Sequence, residues 1–509
     1  MNKVYSAAIT GLEAELIEVE ADLSSGLRFF SIVGLPDKSV EESKERIAAA
    51  IKNSGAEPPQ KFNKRVIINL APADLRKEGS GYDLPIAIGF LMASEQMKFD
   101  YRDKIFVGEL ALDGKIRKVD GVLPICLLAK EKGINSVFIP KDNAKEAALV
   151  EGIQIYAIES LAELIGFLEK RIEIQPIPAL DINSEFSELI LYEVDMAYIK
   201  GQENAKRAIE IAASGNHNIL LAGPPGSGKT LLAKAIPSIL PKMTQDETLE
   251  VTKIYSVSGK LSSKYPLITQ RPFRSPHHSA SEASLIGGGS FARPGEITMA
   301  HRGVLFIDEF PEVHRDVLES LRQPLEDGII HVSRAKASYT FPARFILVAA
   351  MNPCPCGYFG DPEKECKCSP HEITRYQKKL SGPIMDRIDL YVEVPHVKYE
   401  KLTDGNIEGS SAEIRKNVEK ARKIQLQRFK NEKIKTNSEM TIPLVKKHCA
   451  VDEDGDRLLR NAVNNLHMSA RGYHRILKLA RTIADLAESN HITSHHIAEA
   501  LQYRPKLEI

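Results

Sequence analysis

Residues 223–230 read GPPGSGKT, and no other segment restricts what this chain can fold into as strongly. An apolar run, 218–222, precedes it and an amphipathic run follows, so the pattern predicts strand, phosphate-binding loop and helix in that order. Gly223, Gly226 and Gly228 let loop amides turn inward onto phosphate oxygens, with Pro224, Pro225 and Ser227 between them. Lys229 is then placed for the β and γ phosphates and the Thr230 hydroxyl for magnesium. The competing reading, a chance glycine-rich turn, is weakened by VLFIDE at 304–309, an apolar strand that ends in two acids. Asp308 is placed to hold magnesium through water and Glu309 to polarise an attacking water. ATP and magnesium are therefore expected ligands.

Further polar residues follow in the expected order. The strand FILVAAMN ends on Asn352, either a positioner of the hydrolytic water or a satisfied strand-end amide. In SGPIMDRIDL, Arg387 stands at a helix end before a strand, where it serves either as a finger reaching a neighbouring subunit's γ-phosphate or as a surface partner of Asp386 and Asp389. SARGYHRILKLAR places Arg471 and Arg475 at the start of a long helix. One is expected to sense the γ-phosphate in cis and the other to be structural, and the spacing does not separate them.

Four of the six cysteines, Cys354, Cys356, Cys366 and Cys368, form a C-x-C…C-x-C pattern shaped by Pro353, Pro355 and Gly357. Four thiolates from two tight turns suit a structural zinc; reduced buried thiols or a disulfide are the alternatives, and His371 is a possible substitute ligand. Cys126 and Cys449 read as packing residues.

The 509 residues are enough for two to four domains. Lys plus Arg equals Asp plus Glu at 68 each, so no global field attracts a polyanion and any such site must be a local patch. The N-terminus has neither a secretory nor a transit pattern, and no apolar run reaches membrane-spanning length, so a cytoplasmic location and no membrane partner are expected. Short strands and helices alternate over residues 1–170, where VIINL at 66–70 reads as a strand and Ser39 with Glu42 reads as a helix capping box. Residues 171–194, with Pro176 and Pro178, read as a linker. Residues 195–400 form the α/β nucleotide-binding core, with an insertion over 250–300 and the cysteine knuckle over 354–368. From 401 to 509 the pattern is helical, which predicts a C-terminal lid.

The run RPFRSPHHSASEASLIGGGSFARPGEITMAHRGVLFIDE, with MNPCPCG and SGPIMDRIDL, resembles the magnesium-chelatase-like branch of the AAA+ ATPases. With the first domain included, the whole chain resembles the ComM/YifB family of bacterial competence-associated ATPases. The resemblance implies a P-loop AAA+ parallel-sheet core with a helical lid. It also implies a homo-oligomeric ring, expected to be a hexamer, that acts as an ATP-driven helicase promoting branch migration on DNA, with recombination proteins as possible partners. The family also occurs in bacteria not known to be transformable. In the first domain, RKEGSGYDLPIAIGFL and VGELALDGKIRKVDGVLPICLLAKEKGINSVFIP resemble the proteolytic domain of Lon-type proteases, an α+β fold. Where that pattern has its serine this chain has Gly81, with Ser80 one position early, and the lysine position falls at Val122 or Leu123. A serine without a lysine base is a weak nucleophile, so the unit is expected to be a scaffold or a DNA-facing module.

Candidate DNA contacts fall in two places. One is the insertion, with Lys260, Lys264, Arg271, Arg274, His277, His278 and the glycines 287–289. The other is the hairpin-like run 329–344, with Arg334 and Lys336 at its tip. The histidine pair is alternatively a metal or core pair. The basic run 414–435 reads as a solvated face. With no tryptophan, base stacking is sparse, which favours sequence-independent backbone contact. Two other functions compete with a DNA motor. One is a chelatase-type motor acting on a protein partner, against which the first domain counts as foreign to the chelatase pattern. The other is a protein-remodelling machine, for which Tyr339 and Phe291 are the candidate pore aromatics.

Overall fold

The computed structural model describes residues 2–180, 192–262, 265–288, 293–333, 338–380, 382–397, 409–465 and 468–504. Lys264, Gly289, Phe291, Arg334 and Lys336 therefore lie outside the described residues. Among the described residues no helix is long and apolar enough to cross a membrane.

The N-terminal unit is a mixed seven-stranded sheet in the order Phe29–Val33, Lys64–Ala71, Glu13–Ser25, Asn2–Thr10, Lys104–Phe106, Ser136–Pro140, Gln154–Ile158. Along strand Glu13–Ser25, Ile17, Val19 and Ala21 point into the core on one face while Glu18 and Glu20 take the other face, where Ala14 packs in a separate apolar cluster. Helix Asp83–Ala93 is apolar on all sides and is packed in that core. Its one charge, Asp83, is 1% exposed and bonded to Arg46 at 3.0 and 3.2 Å; burial, opposed by Arg46, pushes its carboxyl up to about 6. The helix expected to open at Ser39 starts one residue earlier, at Lys38. Asp37 is its N-cap, because one carboxylate oxygen accepts from Val40 N and the other from Gly79 N across the fold.

The second sheet is parallel throughout, in the order Phe273–Arg274, Val304–Ile307, Ile346–Met351, Ile219–Ala222, Leu390–Glu393. The three middle strands are buried along their whole length, as a sheet with both faces covered requires. Helices between Ser411 and Gln502 complete the C-terminal part. The basic run 414–435 is not a uniformly solvated face: helix Ser411–Arg428 sends Arg415 to Ser238 O, Arg422 to Ala213 O and Arg428 to the buried Asp485. Arg415 and Arg422 thus reach carbonyls of the core and fasten the lid, while Arg428 ties two lid helices to each other. His217, fully buried, extends the same junction by bonding Thr482 at 2.8 Å and Asp389 at 3.1 Å.

The insertion joins the two units. Its helix, Gln245–Val257, packs against helix Val122–Lys132 of the first unit. Glu146 lies at the junction, 5% exposed, and accepts from Leu123 N at 2.9 Å, Asn143 Nδ2 at 3.0 Å and Ser256 Oγ at 2.5 Å. Lys118 Nζ bonds Leu261 O, and Lys253 pairs with Glu13 at 2.6 Å. Tyr339, offered above as a pore aromatic, instead packs its ring on Gly11. Glu146→Ala leaves three buried donors unpaired. It is expected to destabilise the chain by about 2–3 kcal/mol, measured as a lower urea midpoint, and to speed proteolysis between the units.

Candidate functional site

The carboxyl ends of the parallel strands carry the site, the usual position in an open α/β sheet. After strand Ile219–Ala222 the loop turns through Gly226 and Gly228 at φ +78° and +91° into helix Lys229–Ile239. Gly223 has no room for a side chain, since a Cβ there would lie 2.1 Å from Val394 O. Lys229 is largely buried, and its ammonium donates to Gly223 O at 2.7 Å, Pro224 O at 2.8 Å and Asn352 Oδ1 at 3.2 Å. Burial lowers its pKa from the ordinary lysine value, opposed by Asp308. Ser227 Oγ is buried without a hydrogen-bond partner among the described residues. A desolvated cation, an orphan hydroxyl and a glycine-lined turn at a helix start fit a nucleotide's phosphates.

Thr230 Oγ1 donates to Asp308 Oδ2 at 3.0 Å, so the two oxygen ligands expected for magnesium adjoin. Glu309 follows in the left-handed region at φ 50°, with its carboxylate half exposed and 3.0 Å from His278 Nδ1. A non-glycine residue held there costs free energy and aims the side chain off the strand axis. His278 was visible in the sequence only as half of a histidine pair. Nothing in the spacing links it to Glu309, which lies 31 positions away.

The structure places Asn352 against Lys229, and its backbone amide donates to the buried Tyr376 hydroxyl. The arginines divide. Arg475 donates to Met385 O and Ile388 O at 3.1 and 2.7 Å, which ends the preceding turn of chain. Arg471 is exposed, 3.7 Å from Asp386 and 3.9 Å from Glu326. Arg387 is mostly covered, bonded to Glu326 and Pro383 O, with Nε buried and unpartnered among the described residues. Neither Asp386 nor Asp389 is its ion-pair partner there: Asp386 faces Arg471, and Asp389 faces His217.

Cys354, Cys356, Cys366 and Cys368 converge with all four sulfurs within 4.8 Å of one another; His371, exposed, is not in that group. Separations among the first three of 3.4, 3.6 and 3.7 Å approach the roughly 3.8 Å edge of a tetrahedron with Zn–S bonds of about 2.3 Å. Backbone amides of Tyr358 and Lys367 lower the Cys356 thiol, while its neighbours Cys366 and Cys368 are raised, so with no cation among them the cluster favours one thiolate at a time. The residues thus fit a zinc ion. The knuckle also touches the nucleotide loop: Gly357, at φ +88°, leaves so little space that a Cβ would meet Pro225 Cδ at 2.5 Å. Cys126 and Cys449 are buried apart from this group.

Two of the proposed DNA contacts are corrected. Arg271 is committed to Pro241 O, Arg302 O and Glu247, and Arg274 to a two-pronged pair with Glu296, so neither is an exposed free cation. In the first unit, Ser80 Oγ donates to Glu109 rather than meeting an amine, and Val122 and Leu123 are fully buried.

This site, on this sheet, defines a magnesium-chelatase-like AAA+ ATPase, for which ATP and magnesium are the ligands. A family model described as "Magnesium chelatase, subunit ChlI" matches residues 195–402, and one for its C-terminal part matches 408–504. Residues 19–143 match "Subunit ChlI of Mg-chelatase", so the first domain is not foreign to chelatase-related sequences, contrary to expectation. The competence protein ComM of Haemophilus influenzae is 43% identical over 509 residues, covering 99% of this chain and 98% of its own. YifB of Escherichia coli is 42% identical over 98% of this chain and 96% of its own. The chain belongs to the ComM/YifB family. The magnesium-chelatase 67 kDa subunit of Heliobacterium mobile is 27% identical over 45% of this chain and 38% of its own.

Lys229→Ala is expected to weaken ATP binding at least about tenfold in a fluorescent-nucleotide titration. Glu309→Gln should bind ATP and lose about 10²–10⁴-fold in turnover, and His278→Ala should lose less. Gly357→Ala, measured the same way, should weaken nucleotide binding, because the added methyl group would meet Pro225.

Proposed function

We propose that this protein is an ATP-driven, ring-forming DNA motor, a branch-migration helicase acting in DNA uptake or recombination. The observation that carries this reading is full-length similarity to a competence protein, joined to a complete set of ATP-site residues. ATP supplies the free energy through hydrolysis of its γ-phosphoryl bond. In the proposed cycle, Lys229 exchanges its loop carbonyls for β and γ phosphate oxygens, and Thr230 with Asp308 holds magnesium. Glu309 polarises the attacking water while His278 fixes the carboxylate, and Asn352 orients that water from the next strand. Arg387 is the proposed trans finger, released from Glu326 when a neighbouring subunit in a hexamer presents its phosphate. The exposed Arg471 is the proposed cis sensor, because the guanidinium of Arg475 is spent on carbonyls. Zinc at the four cysteines would brace the loop that carries Pro225.

A second reading, a chelatase-type motor working on a protein partner, is favoured by the chelatase-subunit match of the first domain. ATP turnover at fixed low salt distinguishes the two readings, measured with no polymer, single-stranded DNA, duplex DNA, a three-strand junction or an unfolded protein. Stimulation by DNA that falls steeply as salt rises is expected. Stimulation by protein alone would replace the DNA reading with the second. Elemental analysis of protein purified under reducing conditions should find one zinc per chain, and its absence would remove the metal from the reading.

A further inference from the structure

At the opposite, amino-terminal edge of the parallel sheet lies a cleft of about 150 Å³ between the core and the lid. Asn216, Gly303 and Ile346, each at or just before the start of a strand, form its floor. It is separated from the phosphate loop by the length of a four-residue strand, about 13 Å. Six cationic side chains line it against two carboxylates. One of these, Glu247, is shared by three cations: Arg271 at 3.0 Å, Lys435 at 3.9 Å and Arg302 at 3.9 Å, the last also paired from outside the cleft with Glu250 at 3.0 Å. Glu439 is left to Arg344 at 3.5 Å. Arg422 enters from the lid with only the carbonyl of Ala213 as its partner among the described residues.

Crowding like charges in a half-buried cleft is unfavourable unless an anion joins them. The crowding is felt by the groups themselves. Burial, with Arg271 adding to it, pushes Arg422 down to about 10, and burial with a contribution from Arg302 lowers Arg271. Guanidinium forks suit the tetrahedral oxygens of phosphate, and the space takes a phosphoryl group rather than a whole nucleotide.

We infer that this cleft is a second phosphate-binding site, distinct from the ATP site, in which one phosphate group bridges core arginines Arg271, Arg302 and Arg344 to lid residues Arg422 and Lys435. The group is either a free phosphate ion or a phosphate of a nucleic-acid backbone. The inference stands whether or not DNA is the track of the motor.

The test uses the full-length Lys229→Ala chain, so that the phosphate loop lacks its principal cation. Binding of inorganic phosphate is measured by equilibrium dialysis and by the thermal midpoint, with chloride at matched ionic strength as reference. Saturable binding above the chloride reference is expected. Arg344→Gln and Lys435→Gln, both at half-exposed positions, should each weaken it at least about tenfold while leaving the fold intact by circular dichroism. Competition by a single-stranded oligonucleotide would identify backbone phosphate as the source, and its failure would identify the free ion. The inference is overturned if Arg344→Gln and Lys435→Gln bind phosphate as the parent does, or if chloride raises the midpoint equally.

Discussion

A buried ammonium that must be given oxygens is the constraint on which the nucleotide-binding core is built. Lys229 sits at the start of a helix with its charge largely removed from water, and three oxygens from two different strand ends surround it. That requirement brings the loop after Ile219–Ala222 and the end of Ile346–Met351 together. The central position of these strands, both buried along their whole length, then fixes their relative height. Asp308 and Glu309 arrive on the next strand out in the order 273, 304, 346, 219, so the acids face the loop without any connection local in sequence.

Surrounding elements constrain the same edge. The cysteine knuckle reaches Pro225 through a glycine that tolerates no methyl group, and Tyr376 on the following helix holds the Asn352 amide. The insertion, read from the sequence as a candidate DNA contact, docks its helix on the first domain through Ser256 and Lys253. The cysteine cluster and the nucleotide loop are thereby linked through contacts of one or two side chains.

The residues whose chemistry depends on sequence spacing were the legible ones. Gly223–Thr230, Asp308–Glu309 and the four cysteines are defined by neighbours along the chain, and the structure brings each set together. What was not legible depends on partners remote in sequence. Arg271 and Arg274 look like solvent-seeking charges until Glu247 and Glu296 are folded onto them. The basic helix Ser411–Arg428 looks solvated because the carbonyls it seeks, Ser238 O and Ala213 O, are about 200 positions upstream. Ser39 lost its capping role to Asp37 because Gly79, 42 positions away, takes the second carboxylate oxygen.

The junction of His217 with Thr482, reinforced by Arg422 on Ala213 O and Arg475 on Ile388 O, has a mechanical consequence. Hinging the helical part away from the sheet would strand several buried polar groups at once, each costing about 1–3 kcal/mol. Core and lid therefore behave as one stiff lever. In the proposed ring, the displacement that accompanies a turnover would then fall between copies, where such lever arms abut, rather than inside one chain.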